Sequence, residues 1–245
     1  MRIQYISDIH LEFLSKLLKP ARFSPCADVL CLAGDIGYPS APIYSQFLKH
    51  VSTQYKKIFL ITGNHEYYKC STMDAVHAQI HAIITENQLE NISFLDNSYK
   101  DYCGIRFVGT TLWSRISLAP DVLINDFHEI PEMTPELYNE LHRGACEFLD
   151  GADVQESPLP VVVLSHHLPS FALIDPKYAA YKKYNQFFAS DCSRFFKAPV
   201  KAWICGHTHS GFCKTIDGVQ FVCNPVGYPR ESGRQMSYNA VIELA

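Results

Sequence analysis

Five apolar runs in this chain stop abruptly, and each is followed at once by polar residues able to do chemistry. Arg2–Ile6 leads into Ser7-Asp8-Ile9-His10, Asp28–Leu32 into Ala33-Gly34-Asp35, and Lys57–Ile61 into Thr62-Gly63-Asn64-His65-Glu66. Pro160–Leu164 leads into Ser165-His166-His167, and Lys201–Cys205 into Gly206-His207-Thr208-His209. Short apolar runs bounded by glycine read as buried strands, and open α/β sheets present ligand sites beyond the C-terminal ends of their strands. One such motif alone is an ordinary turn, because Gly, Asn and Asp are common turn residues. Five of them, holding six of the eleven histidines, point to a single shared site.

Helical patterns fill the intervals, at Ala41–Tyr55, Met73–Asn87 and Pro135–Leu149. Val76, Ile80, Ile83 and Ile84 form an apolar stripe on the second, and Thr134 with Pro135 gives the third a cap and a tolerated first-turn proline. Further strands are expected at Ile92–Leu95, Ile105–Thr110 and Tyr238–Leu244, with a hairpin turning at Asp217-Gly218. Alternating strands and helices place the chain in the α/β class. Nothing in it reads as a Pro-, Gly- or Ser-rich linker, so residues 1–245 are expected to form one domain. Trp113–Thr134 and Leu168–Asp191 read as long irregular connections, a length at which lids and binding loops are common.

Hydrophobic residues make up 47% of the 245 and charged ones 19%, the balance of a globular protein with a substantial core. A net charge of −4 offers no global basic field, which disfavours nucleic acid and an anionic membrane surface as partners. No apolar stretch is long enough to span a bilayer, and no signal-peptide pattern opens the chain. The nine cysteines are scattered without any Cys-x-x-Cys spacing. They read as reduced thiols of a cytoplasmic protein rather than as a zinc site.

Asp-x-His and His-x-His carry a physical logic of their own. In extended chain, residues i and i+2 point to the same side, so each pair can face one cleft. Imidazole nitrogen with carboxylate oxygen, and no thiolate, is the donor set of Mn, Fe, Zn, Co or Ni sites. Asp8, His10, Asp35, Asn64, His166, His207 and His209 are too many donors for one tetrahedral ion and fit two if a carboxylate bridges. Two divalent ions against two aspartates and a bridging hydroxide leave the centre positive, which favours an anionic substrate oxygen. Paired ions about 3.5–4 Å apart form a clamp for in-line displacement at phosphorus. His77 and His81 also share a helix face, but Ala78 stands where a zinc-protease glutamate would be. They read as surface or helix-face histidines, as do His50, His128 and His142.

In that order, Asp8-x-His10, Gly34-Asp35, Gly63-Asn64-His65-Glu66, His166 and Gly206-His207-x-His209 resemble the calcineurin-like metallophosphoesterase superfamily. Thr111-Leu112-Trp113, Ser165-His166-His167-Leu168-Pro169-Ser170, Pro176-Lys177-Tyr178 and Cys223-Asn224-Pro225 are similar to a branch described simply as metallophosphoesterases. The resemblance implies a four-layer α/β/β/α sandwich with two mixed sheets and a dinuclear site of divalent or mixed-valence transition-metal ions. By position, Asp8, His10, Asp35 and His209 would hold one ion. Asp35, as the bridge, would join Asn64, His166 and His207 around the other, with His166 favoured over His167 by the family's alignment. His65 would be the catalytic acid that protonates the leaving oxygen, with Glu66 either orienting it or making a turn contact. Gly63 is expected to let the chain turn tightly there.

Two departures matter. Asp35-Ile36-Gly37-Tyr38 lacks the phosphate-gripping arginine of the superfamily's protein phosphatases. Val226 in Asn224-Pro225-Val226-Gly227-Tyr228 stands where close bacterial relatives often carry arginine, a role that could pass to Arg230. The expected activity is hydrolysis of a phosphodiester or phosphomonoester, on a phosphorylated small molecule or nucleotide, by a hydroxide bound to the dinuclear centre. The alternatives are a non-catalytic binding or scaffold protein on the same fold, or a nuclease. The last is favoured only by Lys177-Tyr178-x-x-Tyr181-Lys182-Lys183-Tyr184, where aromatic and basic residues could stack bases or be a helix face with snorkelling lysines.

Overall fold

The computed structural model describes every residue except 15–23, 121, 232–235, 238 and 245. Strands β1 (Arg2–Ile6), β2 (Val29–Ala33), β3 (Lys57–Ile61), β4 (Ile92–Phe94) and β11 (Val241–Glu243) form one sheet in the order β11-β1-β2-β3-β4. Strands β5 (Ser98–Tyr102), β6 (Ile105–Thr110), β7 (Val161–Ser165), β8 (Val200–Cys205), β9 (Phe212–Ile216) and β10 (Val219–Cys223) form the other, ordered β5-β6-β7-β8-β10-β9. Both are mixed. Parallel pairs occupy the centre of each, and antiparallel pairs lie toward the edges: β11 on β1, β5 on β6, β9 on β10.

Alternation along the strands explains the layering. Val29, Cys31 and Ala33 of β2 and Phe59 and Ile61 of β3 face Phe107, Val162, Leu164 and Ile204 across a core between the sheets. Phe59 and Phe107 stack there with ring centroids 3.9 Å apart. The opposite faces, Leu30, Leu32, Ile58 and Leu60, pack with α1 (Pro42–Ser52) and α2 (Met73–Glu86). On the far side Val161, Val163 and Trp203 pack with α4 (Pro135–Asp150). Successive strand residues point to opposite faces, so strands apolar at every position must be covered on both sides. Helix, sheet, sheet and helix layers follow.

Element ends shift by a few residues from expectation, and Tyr238, the expected start of the last strand, lies outside the described residues. One strand was not legible. β5 reads Ser-Tyr-Lys-Asp-Tyr and is largely exposed, so it lacks the apolar alternation that marks a half-buried strand. Its partner identifies it: Cys103 and Gly104, both at positive φ, close a tight hairpin onto β6. Thr72 and Thr134 cap α2 and α4 by accepting the Ala75 and Leu137 amides. The two long connections carry short helical turns, α3 (Asp126–Glu129) in one and α6 (Lys182–Asn185) in the other, and α5 (Ala152–Gln155) follows α4.

Candidate metal centre

The C-terminal ends of β1, β2, β3, β7 and β8 converge, and all seven expected donors meet there. Asp8, His10 and His209 form one group, and Asp35, His166 and His207 another, each with donor atoms within 4.8 Å of one another. Asp35 Oδ2 faces both, at 3.7 Å from His10 Nε2 and 3.3 Å from His166 Nε2. Asn64 Oδ1 lies 3.2 Å from His166 Nε2 and completes the second group.

The convergence does not arise as expected. Asp8, His10, Asp35, His207 and His209 all have φ between 47 and 67 degrees, in the left-handed region. The Asp-x-His and His-x-His pairs are therefore kinked, not extended, and each side chain is turned in by its own backbone. Asp and His visit this region more readily than most residues, but each such position costs on the order of 1–3 kcal/mol and persists only where its surroundings hold it. Here the Asp8 amide donates to the Gly34 carbonyl (3.0 Å), and the His10 amide donates to the Asp35 carbonyl (3.0 Å).

Gly63 is required for a different reason than a turn. Its φ is ordinary, yet a Cβ there would lie 2.2 Å from Asp35 Oδ1 and 2.7 Å from the Asp35 amide nitrogen. Gly63 lets two strand ends touch.

Glu66 does not orient His65. Its carboxylate accepts backbone amides from Asp35 (3.0 Å), Ile36 (2.7 Å) and Gly63 (2.7 Å), tying the β2 and β3 ends together. Burial and the neighbouring Asp35 charge push its pKa up to about 7. The residue that orients His65 is Glu12, whose Oε1 accepts from His65 Nδ1 at 3.1 Å and from His10 Nδ1 at 2.9 Å. Its signal was present in the sequence as the next alternate residue of Asp8-x-His10-x-Glu12. Three further supports lie outside the strand-end motifs. Asp126 Oδ1 accepts the Asn64 amide at 2.8 Å, Glu231 accepts from His209 Nδ1 at 2.9 Å, and the Tyr228 hydroxyl lies 3.0 Å from His65 Nε2.

These partners fix the tautomers, because carbonyls and carboxylates only accept. His166 donates Nδ1–H to the Ala33 carbonyl at 2.9 Å, and His207 donates Nε2–H to Phe187 at 3.2 Å. His10 and His209 both spend Nδ1–H on glutamates, and their Nε2 atoms converge at 3.0 Å. Two ring nitrogens cannot face each other so closely as bare lone pairs, so either a proton or a metal ion must lie at that contact. Without metal a proton plays that part. Burial disfavours it, but Asp8 and Glu231 hold the His209 pKa up at about 10. Likewise burial opposes charge on His166, while Asp35 raises its pKa to about 9. Burial also opposes ionisation of Asp35, yet the surrounding imidazoles, His166 foremost, hold it well below the carboxylate range. The nitrogen and oxygen donors, their burial and these tautomers fit divalent transition ions.

His167 belongs to neither group. Its ring lies between the Thr111 carbonyl and the Tyr138 hydroxyl, and burial lowers its pKa well below the usual imidazole range. Val226 is packed in the core, and neither it nor exposed Arg230 lines the cavity beside the donors. His142 is not a surface histidine. It is buried on α4, donates Nδ1–H to the Leu112 carbonyl at 3.0 Å, and lies 3.6 Å from Cys146 Sγ. With Cys192 these form a donor group apart from the strand ends, which scattered cysteine spacing could not reveal; His65 too lies within 4.8 Å of donor atoms of His10 and Asp35.

A cavity of about 630 Å³ opens beside the donors, walled by the two long connections. No described helix is long and apolar enough to cross a membrane.

Residues 1–211 match the calcineurin-like phosphoesterase (Metallophos) family. An uncharacterised protein of Acanthamoeba polyphaga mimivirus is 30% identical over 263 residues, spanning 94% of this chain and 93% of its own. Among solved structures, phosphopantetheinyl hydrolase (PptH) from Mycobacterium tuberculosis superposes with a TM-score of 0.74 at 18% identity, covering 98% of this chain and 94% of its own. The match over residues 1–211, with the order of the five strand-end motifs, shows that the chain belongs to the calcineurin-like phosphoesterase family.

Proposed function

We propose that this protein is a phosphoric ester hydrolase working with two divalent metal ions. Asp8, His10, Asp35 and His209 would hold one ion, and Asp35, Asn64, His166 and His207 the other. The observation that carries this reading is Asp35 Oδ2, one oxygen facing a histidine of each donor group. When bound, the ions supply Lewis-acid polarisation of a phosphoryl oxygen and a water of lowered pKa.

The chain's own residues do the rest. Burial disfavours a charged His65, but Asp35 and Glu12 more than offset it and raise the pKa, so the ring holds a proton to give. Glu12 anchors Nδ1, leaving Nε2 as the atom that delivers the proton to the departing oxygen. Tyr228 meets that same nitrogen and holds the ring at the cavity edge. Asp126 keeps the Asn64 oxygen turned to the second donor group.

The test is metal content and hydrolysis of a panel of phosphomonoesters and phosphodiesters by metal-stripped protein reloaded with Mn, Fe, Zn, Co or Ni. Turnover should depend on added metal and disappear in Asp35→Ala. Equal turnover by stripped Asp35→Ala protein would refute the reading.

A further inference from the structure

Tyrosines stand at 178, 181 and 184, a period of three. The backbone there is mostly of the tight i to i+3 kind. The Tyr181 amide donates to the Tyr178 carbonyl, Tyr184 to Tyr181, and Phe187 to Tyr184, each at 2.9 Å. The Tyr178 and Tyr181 rings meet edge to face with centroids 6.3 Å apart, and Tyr184 follows one turn later on α6.

All three rings line the cavity that also contains Asp35, Asn64 and His207. They are well exposed, Tyr181 at 57%. Lys177, Lys182 and Lys183 are exposed beside the tyrosines, yet none of the described residues lining the cavity is Lys or Arg. Opposite, the other long connection brings Leu123 and Ile124 to the same space. Exposed aromatic rings gathered beside a polar site, with apolar side chains facing them, mark a place for a ligand.

We propose that Tyr178, Tyr181 and Tyr184 form a subsite for a planar heteroaromatic group, a nucleoside base, carried on the phosphoester that the donor groups hold. This rests on the phosphoesterase reading above and names its substrate class. Tyrosine suits the task because its rigid ring offers large area and few torsions to freeze, and stacking on a base needs no cation. Tyr181 and Tyr184 are the stacking pair. The Lys177 ammonium sits 4.8 Å from the Tyr178 ring centroid and covers one of its faces. The phosphate's charge is left to the metal site, so one phosphate rather than a polyphosphate chain matches the cavity.

Phosphonates, which resist hydrolysis, separate the subsite from the metal site. Mn2+-loaded protein is titrated calorimetrically with methylphosphonate, octylphosphonate and a nucleoside 5′-methylenephosphonate. The nucleoside compound should bind at least tenfold more tightly than either of the others. Tyr181→Ala and Tyr184→Ala should each remove most of that advantage while methylphosphonate affinity stays within twofold, and Tyr181→Phe should retain it. Equal binding of all three head groups overturns the subsite alone. Tightest binding by octylphosphonate overturns the base and shows a lipid-like arm. No binding of methylphosphonate overturns the metal-site reading and the subsite with it.

Discussion

Asp126 Oδ1 accepts the Asn64 side-chain amide at 2.8 Å across 62 residues of sequence, and this contact decides which way the amide faces. Asn64 has one donor end and one acceptor end. With its NH2 held by Asp126 and Tyr68, its oxygen is left toward His166. Asp126→Ala should release the amide and lower metal affinity about 10–100-fold, the usual cost of losing a partner that orients a ligand. Competition titration with a chelating dye measures this, and unchanged affinity would show that Asn64 is oriented by other means.

His65→Ala should lower kcat about 10²–10⁴-fold, the range for general acid catalysis, while both ions remain bound. Glu12→Gln should lower it less, since Glu12 supports His65 Nδ1 and not the reacting atom. Metal analysis alongside kinetics separates the two roles. Loss of metal from His65→Ala would make His65 a ligand.

Metal loading should release protons. The pKa values of His166 and His209 are raised to about 9 and about 10, so both donors are protonated at pH 7 and an incoming ion must displace those protons. Affinity should therefore rise from pH 6 through pH 9. Calorimetry in buffers of different ionisation enthalpy counts the protons, and none released would contradict the assignment.

Gly63→Ala should destabilise the fold and weaken metal binding together. The added Cβ meets the Asp35 carboxylate and backbone, where overpacking typically costs about 1–3 kcal/mol. Gly144→Ala is the control. It sits within α4 with open space around it, and replacing helical glycine with alanine should stabilise by roughly 1 kcal/mol. Urea denaturation of both variants tests the contrast.

Cys146 should be the thiol alkylated fastest at low pH. A hydrogen bond from Cys192, with help from His142, pushes its pKa down to about 5, burial opposing. Its reaction with iodoacetamide should hold a plateau from pH 8 to pH 6 and fall off below about pH 5. Mass mapping against exposed Cys103 and Cys213 gives the comparison. A rate that climbs steadily to pH 9 would mean an ordinary thiol.

The sequence determined most of the strands, their apolar faces and the candidate donors at their ends. Those features are local: Val29–Ala33 is apolar at every position, and Gly34-Asp35 follows wherever that strand lies. Glu12 was within reach of the same reasoning, two residues past His10. Tertiary structure alone decided the rest. Glu66, beside His65 in sequence, faces the backbone amides of the β2 and β3 ends, because three buried N–H groups there need an acceptor more than one imidazole does. The left-handed backbone at Asp8, His10, Asp35, His207 and His209 is held by contacts between different strand ends. Asp126, Tyr228 and Glu231 lie in segments with no periodic pattern, and only the packing of the two sheets brings them to the donors. Cys146 and Cys192 meet for the same reason. A one-dimensional pattern records what each residue can donate, and the folded chain decides to whom.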